Sequence, residues 1–345
     1  MTPNTLMDFI QYNLNPTYEL KMNVTVERQL PGGMSVSLGY LGDRGTHLWR
    51  LDDVNDPFPT IVNDRPFIPT GATRPNPNVG VGTVRFSDAK SFYNGMQIEV
   101  KKRFSHGFQF QSAYTWSKNV DDSTTGVAQT DFVPGGVGNT NQPYNPKADR
   151  GLSALNIGQT FVINGIYQIP SLAHSGIASV VLGGWQVANI FTANSGAPFT
   201  AFISGRNAQD QSRQAGVQHP DLVAGRSFSS IVTGDPNAYF DPKAFFLPPP
   251  GFYGNAGRDI LTGPGLMNFD ISLQKNTPLK IGEGRRLEFH ADFFNLFNRA
   301  NFANPRAAQA QVLNPANGQV IAGAGKITST VTNPRQMQFG LKIIF

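Results

Sequence analysis

Apolar and polar residues alternate with period two over nine stretches of this chain. From Tyr18 to Gln29, Tyr18, Leu20, Met22, Val24 and Val26 fall on one side, and Glu19, Lys21, Asn23, Thr25 and Glu27 fall on the other. Successive side chains of a strand point to opposite faces, so this spacing predicts a strand with one greasy and one wet face. Pro31-Gly32-Gly33 predicts a tight turn. A second strand follows with Met34, Val36, Leu38 and Tyr40 on its apolar face, and it runs out through Gly42 to His47. Residues 50–91 read as irregular. A hairpin comes next, with Met96, Ile98, Val100 and Phe104 on one arm and Phe108, Phe110, Tyr114 and Trp116 on the other, joined by Ser105-His106-Gly107. After a polar stretch at 119–158, Phe161, Ile163, Gly165, Tyr167 and Ile169 mark a fifth strand, and Trp185, Val187 and Phe191 mark a sixth. Residues 195–265 carry no strong period. Met267 to Leu273 and Leu287 to Phe293 form the seventh and eighth strands, and residues 299–334 a further loop. The ninth strand is Arg335–Phe345, with Met337, Phe339, Leu341, Ile343 and Phe345 on its apolar face.

The connections alternate between short and long. Soluble sandwiches have mostly short loops, whereas transmembrane β-barrels have short periplasmic turns and long external loops. The pattern therefore predicts an all-β, antiparallel, up-and-down transmembrane barrel of about nine or ten strands. Residues 1–17 are expected as an N-terminal loop remnant, and residues 18–345 as the barrel portion. Long loops precede strands three, five, seven and nine, so these run toward the periplasm, where the last strand ends. The aromatic residues fall at two levels. Phe108, Phe110, Tyr167 and Trp185 lie at the low ends of their strands, and Trp116, Phe161 and Phe191 at the high ends. Eight residues at ~3.3 Å, tilted about 40°, cover roughly 20 Å of membrane normal. These seven residues are the expected interfacial girdles. Gln, Thr, Ser and Asn opposite them suit a wet lumen. Aromatic pairs in a sandwich core are the competing reading.

Composition narrows the picture. No run of 18 apolar residues exists, so no transmembrane helix is predicted, and strands need only about ten residues with every second one apolar. The apolar share of 39% and mean hydropathy of −0.25 suit either a soluble or a barrel chain. With Gly 36, Pro 25, Phe 26 and Cys 0, the chain is turn-rich and has no disulfides. Net charge is +5, but Lys and Arg are scattered, which argues against nucleic acid as a partner. Met1–Ile10 has neither a basic n-region nor an apolar h-region. An outer-membrane protein needs a signal peptide, so this chain is expected to lack its natural front end.

Little chemistry is evident. His47, His106, His174, His219 and His290 are far apart and have no Cys partners, so no metal site is expected among them. His290, beside Glu288 and Asp292, reads as a lumen-facing polar residue. There is no G-x-S-x-G, and Ala322-Gly-Ala-Gly-Lys326 fails the phosphate-loop spacing. Asp52-Asp53-Val-Asn-Asp56 and Asp121-Asp122 have the chemistry to hold Ca²⁺ in external loops, and solvated turns are the preferred reading. No catalytic residue, cofactor or metal is assigned, and the chain is not expected to be an enzyme.

Several stretches, in order, carry a family resemblance. They are Tyr40 to Leu48 (YLGDRGTHL), Tyr93 to Phe104 (YNGMQIEVKKRF), Ala113 to Lys118 (AYTWSK), Gly184-Trp185 through Ser195 to Thr200 (SGAPFT), and Phe289 to Phe302, which includes FFNLFNRANF. Together with the last strand they resemble the distal barrel of TonB-dependent receptors of the Oar-like kind. Phe339, Leu341, Ile343 and the C-terminal Phe345 resemble the signal read by the barrel-assembly machinery. The resemblance implies a Gram-negative outer-membrane transporter that captures an unknown ligand with its loops and passes it through a polar lumen. Outer-membrane lipid and the assembly machinery would be its partners, and the TonB complex would engage only parts not present here. The family's barrel has about 22 strands, preceded by a plug and a TonB box. The expectation is therefore a C-terminal portion of such a receptor. The alternatives are a soluble or surface β-rich adhesin or carbohydrate-binding module and a small passive pore.

Overall fold

A computed structural model describes residues 7–80, 82–122, 142, 144–171, 173, 175–204, 217–279 and 285–345. Nine long strands form one antiparallel meander, each hydrogen-bonded to the next in sequence. They are β1 (Tyr18–Leu30), β2 (Met34–Asp53), β3 (Gly82–Ser105), β4 (Phe108–Asp121), β5 (Gln159–Gln168), β6 (Trp185–Asn194), β7 (Leu266–Pro278), β8 (Arg286–Phe294) and β9 (Gln336–Ile344). All nine coincide with the alternating stretches of the sequence. Among the described residues β1 and β9 are paired on one side only, and the sheet is open.

Register confirms the faces. Directly opposed residues share a face in an antiparallel pair. Val26 faces Leu38, Leu38 faces Ile98, and Ile98 faces Tyr114. The row continues through Phe161, Ala193 and Met267. Lower down, Tyr167, Val187, Leu273, Ala291 and Phe339 form a second continuous row on the same face. The other face carries Glu27, Ser37, Glu99, Thr160, Gln274, His290 and Lys342. The described residues leave the apolar face uncovered: Val26, Trp116, Phe339 and Leu341 are all more than half exposed. A water-soluble sheet would bury these residues.

The turns follow local chemistry. Ser105 pairs with Phe108 across a two-residue loop, in which His106 (φ 53) and Gly107 (φ 77) are both left-handed. Two positive φ values match the type I′ geometry that suits the strand twist. Two sequence expectations need correcting. The two ends of the stretch 50–91 form a ribbon, because β2 reaches Asp53 and β3 begins at Gly82, and between them Thr60–Val62 pairs with Arg65–Phe67 as a short hairpin. Register slips between Gly45 and Leu48, where His47 takes φ 56, and again between Leu48 and Trp49. Each slip switches which side chains face which side, so the period breaks in the sequence while the ladder continues. The described part of the stretch 1–17 is also more than a loop remnant. Met7–Ile10 pairs in parallel with Gly82–Arg85. That segment of β3 lies beyond the last residue paired with β4, and Met7–Ile10 covers its free edge.

The protein's dry core lies in the long loops instead of between the strand faces. The β6–β7 and β8–β9 connections pack together around Phe199, Ile203, Ile231, Phe240, Leu261, Val312 and Leu313, all fully or almost fully buried. Each such side chain contributes about 1.5–3 kcal/mol through burial. Their secondary structure is fragmentary, with two-residue strands such as Pro198–Phe199 against Leu261–Thr262.

A charge placed on each face tests the assignment. Ile271→Arg, on the lipid side between the aromatic levels, is expected to destabilise the folded protein in bilayers by ~2–4 kcal/mol. Gln274→Arg, on the opposite face, should change stability by less than about 1 kcal/mol. Urea unfolding followed by heat-modifiable gel mobility reads both. Equal effects would contradict the assignment.

Candidate functional site: the external loop cap and the lumen mouth

The loops form a single cap because charged and polar side chains tie them to the strand ends. Arg258, in the β6–β7 loop, is the centre and is 5% exposed. Its Nε donates to the Asp149 carbonyl (2.8 Å), and its Nη1 donates to Asp259 Oδ2 (2.9 Å). Its Nη2 donates to the Asp121 carbonyl (2.7 Å) and to the Asp121 carboxylate. One guanidinium thus joins the end of β4, the β4–β5 loop and the β6–β7 loop. Asp259 Oδ1 accepts from Thr200 Oγ1 (2.9 Å), and the Asp259 amide donates to the same hydroxyl (2.9 Å). Burial pushes the Asp259 carboxyl up to about 6, against the opposing pull of Arg258. Burial also raises the Asp121 carboxyl.

The β2–β3 loop docks through a second arginine. Arg65 Nη2 bonds Asp221 Oδ1 (2.9 Å) and the Tyr253 carbonyl (2.7 Å), while Phe67 and Phe252 lie with ring centroids 4.9 Å apart. At the root of the ribbon, Arg50 holds Asp88 through Nε (2.6 Å) and Nη2 (2.9 Å), and it lies 4.4 Å over the Phe86 ring.

The acidic stretches considered as Ca²⁺ ligands are engaged otherwise. Asp52 is paired with Arg50, Asp56 approaches Arg74 (3.7 Å), and Asp121 is held by Arg258. Asp52, Asp56 and Asp121 are buried, so they are not solvated turns either. Among the described residues no group of three or more His, Cys, Asp or Glu is placed to hold a metal. Of the histidines, His219 is buried beside Asp149, with Nδ1 4.0 Å from Oδ1. His290 lies on the polar face between Gln274 and Gly340. His174 lies outside the described residues.

The FFNLFNRANF stretch makes a corner. Asn295 and Asn298 are left-handed, each with φ 50, a region that asparagine tolerates better than most residues. Asn295 Oδ1 accepts from the Arg299 amide (2.9 Å), and its Nδ2 donates to the Asn333 carbonyl (3.0 Å). Asn298 Oδ1 accepts from the Arg335 amide (2.9 Å), and Asn301 Oδ1 from the Met267 amide (2.9 Å). These asparagines fasten the top of β8 to the starts of β9 and β7.

Beneath the cap is a cavity of about 660 Å³, lined by Asn194, Ala197, Leu266, Phe302, Asn304 and Arg306 among others. Asn194 and Leu266, which oppose each other across the strands, belong to the polar-face row. Asn194 Oδ1 is buried without a hydrogen-bond partner among the described residues.

All seven of these aromatic residues lie on the apolar face. Phe108 meets Phe110 (5.6 Å) and Tyr167 (6.2 Å), and Phe161 meets Phe191 (6.0 Å). Trp185 stands apart from the first group and pairs with Phe289 (6.4 Å). Trp116 is opposite Met96 and Gln159. Phe339, Leu341 and Ile343 share that face, opposite Ala291, Phe289 and Leu287. Phe345 follows the last paired residue.

An antiparallel meander with an uncovered apolar face, a polar opposite face, short turns at one end and folded loops at the other defines an outer-membrane β-barrel protein. The chain matches the family model for the outer membrane beta barrel domain over residues 1–338 and belongs to that family. Its place is therefore the Gram-negative outer membrane, which sets aside a soluble module. Among solved structures it is similar to the outer membrane transporter YddB from Escherichia coli (TM-score 0.50, 10% identity), covering 99% of this chain and 34% of that one. Matches at lower TM-score are the pyoverdine outer membrane receptor FpvA from Pseudomonas aeruginosa PAO1 (0.42, 13% identity, 96% of this chain and 30% of that) and the FrpB iron transporter from Neisseria meningitidis (0.40, 11% identity, 97% and 32%). At these identities the likeness is one of fold. The chain spans about a third of the length of each solved protein. A search of curated proteins finds no match.

The Arg258 centre yields two expectations. Arg258→Met leaves the Asp121 and Asp259 carboxylates buried without their partner, which should destabilise the cap by about 3–5 kcal/mol and expose residues 217–265 to protease while the strands stay protected. Asp259 holds its proton more tightly in the folded cap than in the unfolded chain. Its contribution is therefore greatest below about pH 4 and is lost as pH rises to about 6. Protease resistance of the cap should accordingly improve from pH 7 to pH 5, and Asp259→Asn should flatten that dependence.

Proposed function

We propose that the chain is the distal portion of a larger outer-membrane transport barrel, in which the external cap captures a ligand for passage through the polar lumen. The observation that carries this reading is the cap itself. Loops with a dry core, tied to the strand ends by Arg258 and Arg65, provide a fixed surface over a cavity lined in part by the polar-face residues Asn194 and Leu266. Coverage of only a third of the solved transporter supports the remainder of the barrel being supplied by further strands. A plug and a TonB-box segment outside this chain would couple passage to the TonB complex. Phe339, Leu341, Ile343 and Phe345 would be read by the barrel-assembly machinery. Phe108, Phe110, Tyr167 and Trp185 would sit at the periplasmic lipid interface, and Trp116, Phe161 and Phe191 at the external one. No catalytic step belongs to this reading.

The whole protein, purified in detergent and incubated with the low-molecular-weight fraction of spent culture medium, should retain a small molecule detectable by mass spectrometry. Ala197→Trp and Ala303→Trp, which fill the cavity, should abolish retention without altering heat-modifiable mobility. Retention of nothing, or retention that survives both substitutions, would contradict the proposal.

A further inference from the structure

The β5–β6 connection differs from the tight turns beside it. It holds a short helix, Gly176–Leu182. From Pro170 to Gly184 the sequence has no Asp, Glu, Lys or Arg. Ile177, Val180, Val181 and Leu182 are all exposed, Ile177 to 83%, and no residue of the helix is buried. A seven-residue helix is ~10 Å long. Helices this short do not persist in water without an apolar face packed on something, and among the described residues nothing buries that face.

The helix end is fixed to the lipid side of the wall. Trp185 Nε1 donates to the Val181 carbonyl (2.9 Å), and Lys275 Nζ donates to the carbonyls of Val181 (3.0 Å) and Gly183 (2.6 Å). Trp185 and Lys275 are cross-strand partners on the apolar face, with Nζ 4.8 Å from the ring centroid. Gly184, at φ +74, closes the turn. A Cβ there would fall 2.1 Å from the Asn276 carbonyl oxygen, so only glycine fits.

We propose that Gly176–Leu182 is an interfacial foot whose apolar side chains enter the headgroup–acyl boundary of the periplasmic leaflet, with phospholipid as the partner. The bare helix is continuous with the lipid-facing surface through Trp185 and Phe289. Trp at the anchor point suits the interface, and a short apolar helix lying in the membrane plane buries its face there. Helix-end carbonyls would oppose entry into an apolar medium. Trp185 and Lys275 satisfy those of Val181 and Gly183, so the foot enters with them capped.

The chain has no cysteine, so Ile177→Cys accepts a single environment-sensitive nitrobenzoxadiazole label. With the full chain in phosphatidylethanolamine–phosphatidylglycerol vesicles, emission should be blue-shifted. Quenching by lipids spin-labelled near the headgroup should be several-fold stronger than quenching by aqueous iodide. A label at Ser230→Cys, in the external cap, should show the reverse. Adding Val181→Asp to Ile177→Cys should shift that label toward iodide accessibility while gel mobility shows the barrel still folded. An Ile177→Cys label quenched by iodide as strongly as the Ser230→Cys label overturns the proposal. So does a label shielded from both quenchers, which would mean that protein covers the helix.

Discussion

Backbone hydrogen bonding in the absence of water is the constraint on which this structure depends. A peptide group in the hydrocarbon layer must find its partner within the protein. The meander from β1 to β9 supplies those partners strand by strand, and it fixes the period of two that decides every side chain's surroundings. Because the solvent outside is lipid, the apolar face needs no cover. The consequence is an inverted distribution: Phe339 and Leu341 are exposed on the wall, while Phe199, Phe240 and Ile231 are buried in loops standing in water. Two solvents act on one chain, and each dictates where hydrophobic residues go.

The cap is held by different physics from the wall. Its strands are too short to supply many ladder bonds, so apolar burial and buried arginines hold it. Arg258 acts because its planar fork reaches several acceptors at once, which a lysine could not reproduce. The expense of burying the carboxylates around it appears as the raised affinity of Asp259 for its proton. The asparagines of the β8 corner play the matching part at the boundary, where left-handed backbone and amide side chains turn the chain from wall to cap.

The wall was legible in the sequence because alternation is a local signal and register is set by it. All nine strands and the placement of the aromatic residues on one face could be read from residues two apart. Legibility ended where period two ended. The ribbon above Gly45 was hidden by register slips near His47 and Leu48. The cap was hidden because pieces such as Pro198–Phe199 and Asp221–Leu222 are two residues long and gain their partners from distant loops. Arg258 belongs to no pattern, and only the folded loops bring Asp121 and Asp149 to it. The asparagine spacing in FFNLFNRANF was visible, but its reason, a left-handed corner, was not. The helix Gly176–Leu182 was too short for a helical period to stand out.

The central claim is that one face of the sheet meets lipid and the other meets water. A cysteine scan of β4 from Phe108 to Ser117 in the full chain, reconstituted in vesicles, tests it most directly. Labels at Phe108, Phe110, Ser112, Tyr114 and Trp116 should be quenched by spin-labelled lipid. Labels at Gln109, Gln111, Ala113, Thr115 and Ser117 should be quenched from the aqueous side, in strict alternation. Loss of the alternation, or protection of the first set from lipid as well as from water, would contradict the assignment.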